Sequence, residues 1–360
     1  MGVVLDAFIA FVVLVFLGLM ALDIRGIFAG EKASMGSRYR PRALVIVPCK
    51  GLDLTLSENL MSLKGQKYGS YSIIAVVDSE SDEAVPVIRD AGIRHIISRS
   101  RCTRCSKKVR AISTALESMR DYSAYAVADS DICVDERWLE RLIEPLADRR
   151  IGLSTMFPYF NPIHGFWSKV KMVWGFVGEG LLESETTRFG WGGSLAFRKE
   201  LLGRKEMDFL KDSEYSVSDD ICLTKIARGK GLGIAYTRQS QPIVNTSESF
   251  RSFAEWSNRQ TALTLLGYRR NLYFGLAFYS AEALELASGI ALAFYVSPLF
   301  LILLLHAARS VAKTYQRSRK GDPVIALIAL AMPFIYIANL LHASRARSIT
   351  WRGTAYKLTR

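Results

Sequence analysis

Apolar residues follow two different rhythms along this chain. Near both ends they form long uninterrupted runs, whereas between about 43 and 249 they come in short bursts separated by helical spacing. Residues 3 to 22 hold one charge, Asp6, and at about 1.5 Å rise per residue such a run covers about 30 Å, the thickness of a bilayer core. A spanning helix is predicted there. A cleaved signal peptide would show a basic start, a shorter apolar stretch and a small-residue cleavage site; here an acid stands at the start and Arg25, Lys32, Arg38, Arg40 and Arg42 follow. Leu286 to Ala308 and Pro323 to His342 are also free of Asp, Glu, Lys and Arg and long enough to span. Between Asn271 and Glu285 the chain is apolar but carries Glu282 and Glu285. A fourth span, half of a hairpin and an interfacial helix all remain open for it.

The basic residues after the first run place the following segment in the cytoplasm and the N-terminus outside. Three crossings then put the C-terminal tail inside but the basic stretch Arg309 to Lys320 outside, against the charge rule; four reverse both. Three crossings with a cytoplasmic tail are expected, which makes 271 to 285 interfacial.

In the middle, apolar bursts alternate with helical patterns, the signature of βα units around a mostly parallel sheet. Strands are predicted at 43–47, 71–77, 125–128, 151–156 and 193–197, and helices at 56–64, 82–91, 106–120, 136–146, 166–183 and 219–228, the last ending at Gly229 as a cap.

Composition sharpens this division. With 50% hydrophobic and 22% charged residues and a mean hydropathy of +0.15, the chain is too apolar for an ordinary soluble enzyme and excludes a disordered or fibrous one. Its 360 residues allow about two domain-sized units. The net charge of +13 is concentrated in residues 25–42, 94–110 and 309–360, beside apolar runs and in one interior loop. That placement suits an anionic membrane surface and an anionic ligand rather than a nucleic acid. Five cysteines in a chain with a cytoplasmic main domain do not argue for disulfides. The Cys102/Cys105 pair lacks the second pair or histidine that a zinc site needs, so packing or loop thiols are expected.

Candidate chemistry sits at strand ends. A strand runs into Asp129-Ser130-Asp131, whose alternate side chains point the same way and suit a hard cation, Mg²⁺ or Mn²⁺. A second strand ends in Asp78-Ser79-Glu80-Ser81-Asp82, acids suited to a nucleoside or to helix capping. Asp219 and Asp220 open a helix, where unpaired N–H groups stabilise carboxylates; only one of them is expected to face a cleft, as a general base. The basic loop Arg94 to Arg110, leading into a helix at Ser106-Lys107-Lys108, suits a pyrophosphate. Phe189-Gly190-Trp191-Gly192-Gly193-Ser194 allows close backbone approach to a ligand.

These residues in this order resemble the family-2 glycosyltransferases, and within them the ceramide glucosyltransferase-like membrane enzymes. The resemblance spans nearly the whole chain. It takes in Pro48-Cys49-Lys50-Gly51-Leu52-Asp53, Asn59-Leu60, Ser62-Leu63, Gln66, Tyr68, the acids from Asp78, Lys108-Val109, Asp129-Ser130, Gly192-Gly193-Ser194, Phe197-Arg198-Lys199, Asp219-Asp220, Arg259-Gln260, and Trp351-Arg352-Gly353 with Tyr356. The family's Q/R-x-x-R-W motif falls at Trp256-Ser257-Asn258-Arg259-Gln260, keeping Arg259 but with Trp first and Gln last.

The resemblance implies an α/β GT-A fold, a Rossmann-like nucleotide-sugar-binding domain with N- and C-terminal transmembrane helices. The expected division is an N-terminal membrane helix over 1–25, the catalytic domain over 42–248, an amphipathic interfacial helix over 249–270, C-terminal membrane helices over 271–342 and a basic cytoplasmic tail over 343–360. It further implies an inverting hexosyltransferase at the cell membrane, catalytic domain in the cytoplasm, moving glucose from a UDP-sugar to a lipid hydroxyl with a divalent cation. Asp220, Arg259 and Asp219 would be catalytic, and Asp129 and Asp131 would hold the metal. Pro48, Lys50, Asp78, Asp82, Lys108, Asp129, Gly193, Trp256 and Gln260 would line the donor site. Neither a nucleic acid nor an obligate protein partner is expected. Two other readings share the residues: a polyprenyl-phosphate or polysaccharide glycosyltransferase, and a catalytically silent nucleotide-sugar binder.

Overall fold

Strand β1 (Ala43–Pro48) divides its side chains between two buried cores, Val45 and Val47 entering one and Leu44 and Ile46 the other. Both faces are apolar because both are covered. Helices α2 (Leu56–Lys64), α3 (Ala84–Asp90) and α5 (Trp138–Ile143) lie in the first core. Helices α4 (Lys107–Ser118) and α7 (Asp219–Gly229) lie in the second. The computed structural model describes residues 2–28, 39–99, 105–203, 216–267 and 270–358.

The remaining strands of the main sheet are β2 (Tyr71–Val77), β3 (Arg94–Ile97), β4 (Ala124–Ala128), β6 (Ile151–Thr155), β8 (Ser194–Arg198) and β9 (Gly233–Tyr236). Seven strands run in the order β3-β2-β1-β4-β8-β6-β9. Their pairings are parallel except at β8, which runs against both β4 and β6. Because β1 pairs with β2 on one side and β4 on the other, the strand order reverses there and opens a crevice beyond the carboxyl ends of the strands. A smaller sheet of β5 (Ile132–Cys133), β10 (Ile243–Ser247) and β7 (Tyr159–His164) closes the far side.

Three expectations change here. The basic loop from Arg94 is not a loop throughout: Arg94–Ile97 is edge strand β3, and α4 starts at Lys107. Residues 100–104, Cys102 included, lie outside the described residues. The cap of α7 is Lys230, and Gly231, at φ +70, takes the left-handed position. There the N–H of Leu232 donates to Ala227 and that of Gly231 to Arg228, a closing pattern that needs a residue tolerant of positive φ. Cys105 is disulfide-bonded rather than a packing thiol. Cys49 and Cys222 are buried thiols outside any disulfide, and burial pushes the Cys49 thiol up to about 12.

The apolar ends form helix α1 (Gly2–Phe28), then, after β10, α8 (Phe250–Gly267), α9 (Arg270–Tyr295), α10 (Leu305–Arg317) and α11 (Val324–Arg345). Among the described residues three stretches are long and apolar enough to cross a membrane: Val3–Leu22, Arg270–Tyr295 and Val324–Arg345. The uncharged run 286–308 is therefore not one helix. Helix α9 starts 16 residues earlier, at Arg270, and absorbs 271–285, which is not a separate interfacial helix. The chain then breaks at Ser297, whose hydroxyl accepts from the N–H of Leu299, and continues as a 3₁₀ segment, Pro298–Leu304. Pro298 supplies no N–H and so cannot continue α9.

Helix α11 packs against α8, α9 and α10 and, on one face, against the α/β domain. Ile325, Ile328 and Met332 belong to the main core, and Trp174 of α6 (Phe166–Glu183) donates to Asn339 at 2.9 Å. Asn339 in turn donates to Ser257 and Asn258 of α8. Residues beyond α11 form a hairpin of β11 (Ser348–Trp351) and β12 (Thr354–Lys357).

Candidate functional site

The crevice at the strand switch gathers acids from three strand ends. Asp53 follows β1, Asp78 follows β2, and Asp129 and Asp131 follow β4. Each is held by its own turn. The N–H of Asp129 donates to Gly193 at 3.0 Å. Ser130 donates to Asp53 at 2.5 Å while its carbonyl accepts from Asn59. Asp131 is half-buried, with a shielded Oδ1 that accepts no hydrogen bond within the protein. Burial, then the charges of Asp129 and Asp53, pushes its carboxyl up to about 7. Such an oxygen, repelled by its neighbours and shut off from water, fits a cation.

Lys108 is the positive centre of this cluster. Its ammonium lies 2.6 Å from Asp129, 3.4 Å from Asp219 and 3.1 Å from the carbonyl of Gly192, to which it donates. Burial alone would lower its pKa, but Asp129 and Asp219 hold it above the ordinary lysine value. Asp219 is 2% exposed, and burial pushes its carboxyl up to about 7 against the pull of Lys108. Glycine is required at 192: a Cβ there would stand 2.7 Å from Asp219 and 3.0 Å from Lys108. The cluster is packed onto bare backbone.

The C-terminal hairpin closes the crevice from above. Arg352 donates to Asp53 at 2.6 Å and to the carbonyl of Lys50, and Lys50 returns a bond to the carbonyl of Arg352 at 3.1 Å. Lys107 lies 3.1 Å and Lys50 3.8 Å from Asp78. The Trp351 ring faces Arg259 of α8 at 5.6 Å and Lys108 at 6.0 Å. Burial, then the charge of Arg352, lowers the pKa of the Arg259 guanidinium. Two cations close to one another at the crevice, Arg259 half-buried and Arg352 exposed, favour an anion between them.

Asp220 stands beside this cluster, across Gly192 from Lys108. Its Oδ1 accepts from the Ser218 hydroxyl and, at 2.7 Å, from the N–H of Ile221; its Oδ2 accepts from the N–H of Gly192 at 3.3 Å. All of this opens into one cavity of about 1860 Å³, which extends from Asp78 and Lys107 past Asp220 to apolar positions on α1 and α9.

A family model described as Glycosyl transferase family 21 matches residues 7–360. The chain belongs to that family. It is the ceramide glucosyltransferase-like branch to which the motifs pointed, and the protein is a glycosyltransferase. No curated protein matches it in sequence. Among solved structures it is similar to the mannosyltransferase PcManGT from Pyrobaculum calidifontis, in complex with GDP-Man and Mn²⁺: 19% identity over 94% of this chain and 97% of that one, TM-score 0.56. A glucosyl-3-phosphoglycerate synthase from Mycobacterium tuberculosis, in complex with Mn²⁺ and UDP-glucose, is 15% identical over 63% of this chain and 79% of that one, TM-score 0.42. The mannosyltransferase likeness shows the GT-A fold.

In this glycosyltransferase the cavity receives Pro48, Lys50, Asp78, Lys108, Asp129, Asp131, Asp220, Trp256, Arg259 and Gln260. Asp219, Asp82 and Gly193 do not line it. Asp219 lies beneath Lys108, and Asp82 accepts from the N–H groups of Gly51 and Ala84. Gly193 contributes its carbonyl to Asp129, and a Cβ on it would strike the Trp191 ring at 2.1 Å. Trp256 packs edge-on against Trp174 and Phe160, with the buried Lys171 4.7 Å over its ring. Sequence reasoning missed Asp53, Lys171, Trp351 and Arg352 as wall residues, whereas Lys107, read as part of a pyrophosphate-binding helix start, does line the cavity. The Trp-Arg-Gly triplet so near the C-terminus was the available signal for two of them.

Proposed function

We propose that this glycosyltransferase moves glucose from a UDP-sugar to the hydroxyl of a membrane lipid, with inversion, at the cytoplasmic membrane surface. One observation carries the reading: a single cavity joins a carboxylate and cation cluster, of the kind a nucleoside diphosphate needs, to an apolar mouth between membrane helices. The mannosyltransferase neighbour, crystallised with GDP-Man and Mn²⁺, supports a nucleotide-sugar donor. Among the described residues no three His, Cys, Asp or Glu side chains converge as a closed metal cage. Magnesium-like ions, however, commonly use one or two carboxylates and complete their shell with substrate phosphates. Asp129 and Asp131 would hold the ion, which when bound supplies charge neutralisation for the departing diphosphate.

The chain's own groups do the rest. Arg259 and Lys108 take up negative charge at the leaving diphosphate, and the Trp351 ring keeps water from both. Asp220 removes the proton of the acceptor hydroxyl as its oxygen attacks the anomeric carbon from the face opposite the diphosphate. Membranes containing the protein, given radiolabelled UDP-glucose with and without Mn²⁺, should yield labelled glycolipid only with the metal, and none from Asp129→Ala. Donor binding without transfer from any sugar nucleotide would overturn the reading in favour of a silent binder.

The membrane arrangement depends on how α11 is held. Lys169 lies 2.5 Å from Asp322 before that helix, and Arg352 reaches Asp53 after it. Both ends are tied to the α/β domain, which supports an α11 lying along the cytoplasmic face despite its length. The crossings we propose are then α1, α9 and the returning segment 298–317, whose Arg309, Lys313 and Arg317 line the cavity. That keeps three crossings and a cytoplasmic C-terminus, and it moves Arg309 to Lys320 inside, as the positive-inside rule requires. A cysteine at Ser297 should react with an impermeant maleimide only from outside and one at Lys320 only from inside; labelling of both from one side would refute it.

A further inference from the structure

Helix α6 buries a lysine among apolar residues. The Lys171 side chain is only 9% exposed, and its ammonium lies 2.6 Å from Glu248, whose side chain is 13% exposed. That ammonium sits 4.7 Å over the Trp256 ring and 5.4 Å from the centre of the Phe160 ring, two aromatics that fix it in place and screen it from water. Glu248 is fixed as well, since its N–H donates to Ser168 of α6 at 2.7 Å. An ion pair taken out of water adds little net stability over apolar side chains of the same size. This one lines the cavity together with Trp256 and Asn245, yet neither charge takes part in neutralising the diphosphate or in moving the acceptor's proton.

The pair stands on the metal side of the crevice. Strand β10 runs antiparallel to β5, with Ile243 opposite Cys133 and Val244 opposite Ile132, and one further step of that register sets Asn245 beside Asp131. On its other side β10 pairs with β7, where Asn161 donates to the side-chain oxygen of Asn245 at 2.9 Å. Glu248 directly follows the same strand. Asp220 reaches the metal-side acids from the other direction, through Gly192, Lys108 and Asp129. Trp256 occupies the motif position that elsewhere in the family is Gln or Arg, and here the cation over that position comes from Lys171 on another helix.

A cation and a carboxylate in contact carry no net charge together, so the patch suits neither an anion nor a metal ion. The ammonium has three N–H groups and gives one to Glu248 Oε1. Its other N–H groups, Glu248 Oε2 and the Asn245 amide set donors and acceptors side by side on one wall. Neighbouring hydroxyls on a sugar ring need that arrangement, because each of them both donates and accepts.

We propose that Lys171 and Glu248, with Asn245 beside them, read the ring hydroxyls of the hexose being transferred. The proposal rests on the nucleotide-sugar reading of the cavity and adds the residues that choose the sugar. The diphosphate lies at Asp129 and Asp131 and the anomeric carbon between it and Asp220, so the far carbons of the ring extend to this wall. There a hydroxyl that is present meets a charged partner, and a missing one leaves that partner short of a bond.

The test compares UDP-glucose with its four monodeoxy analogues, lacking the hydroxyl at C2, C3, C4 or C6. Membranes containing the full-length protein are given each donor with Mn²⁺; kcat/KM is read from UDP release, and UDP affinity is measured separately. The natural enzyme should disfavour at least one analogue by about 10–100-fold, the worth of a hydrogen bond to a charged group. Lys171→Met/Glu248→Gln removes both charges at once, so that no lone charge is left buried. It should bind UDP as tightly as the natural enzyme and lose most of that discrimination, chiefly by slowing UDP-glucose. If the double variant does not bind UDP, Glu248→Gln alone, which keeps an oxygen for Lys171, decides by the same ratio. Equal slowing with all five donors would mark the pair as structural and overturn the proposal, as would unchanged discrimination in the variant or no analogue disfavoured by the natural enzyme. Donors that bind the natural protein without release of UDP would sink the transfer reading instead, and the same ratios, taken from affinities, would still decide this one.

Discussion

Asp220→Asn should lower the transfer rate by about 10²–10⁴-fold, the usual worth of a positioned general base, while leaving donor affinity nearly unchanged. The substitution is mild in shape. An asparagine oxygen can still accept from Ser218 and from the N–H of Ile221, as Oδ1 does now. The amide nitrogen would face the N–H of Gly192, a bond that is already long at 3.3 Å. What disappears is the capacity to take a proton at the cavity wall. Asp219→Asn provides the contrast. That residue is 2% exposed, does not line the cavity and pairs with Lys108, so its loss should act on stability more than on the chemical step. Single-turnover rates with UDP-glucose, beside UDP affinity for each variant, separate the two. An Asp220→Asn enzyme with normal turnover would remove Asp220 from the mechanism, and a turnover loss confined to Asp219→Asn would move the base assignment there.

The contrast between these adjacent acids shows what the sequence makes legible. Two acids opening a helix point about 100° apart, so one facing the cleft and one buried can be read from spacing. Which is which depends on Gly192, whose bare backbone lets Asp219 and Lys108 approach from beneath. Strand-end acids are legible for the same local reason. Their apolar runs set strands β2 and β4, and strand order places the acids after each strand at the switch point. The pairing of Asp53 with Arg352 joins residues 299 positions apart, and no local pattern encodes it. The Trp-Arg-Gly triplet stood out, but nothing nearby says that it folds back over β1. Membrane segments show the opposite failure. Hydropathy windows see composition, and Leu286 to Ala308 is uniformly apolar across a helix end that Ser297 and Pro298 impose. Helix α11 is long and apolar enough to span, as its hydropathy predicts, and what hydropathy does not show is that one face of it also buries Ile325, Ile328 and Met332 in the core of the α/β domain. Strands β7 and β10 escape because each is short and carries polar residues or a proline, Asn161 and Pro162 in one and Asn245 in the other.

Lys108→Met should be the most destabilising single change in the site, costing about 3–5 kcal/mol, because it removes the partner of buried carboxylates rather than a surface charge. For a unit of this size that is a drop in Tm of about 6–20 °C. Methionine fills the stem's volume, so the loss is electrostatic more than steric. The lysine is 11% exposed at its side chain and touches Asp129 and Asp219 together. Without it, burial and mutual repulsion push the carboxyl of Asp219 further above the value of about 7 that it holds in the lysine's presence. That shift sets the sign of the pH dependence. A carboxyl raised in the folded state binds its proton more tightly there than in the unfolded chain, so stability is full below the unfolded carboxylate range and falls as pH rises through the folded value. The natural enzyme's lysine stays charged throughout that window and adds no slope. The deficit of Lys108→Met should therefore be largest near pH 8 and shrink toward pH 5. Millimolar Mn²⁺ should restore more Tm to the variant than to the natural enzyme, since a cation at Asp129 and Asp131 replaces part of the missing charge. A variant that melts with the natural enzyme at pH 8, or one whose deficit grows on acidification, would mean that the Asp129–Lys108–Asp219 cluster does not hold this crevice together.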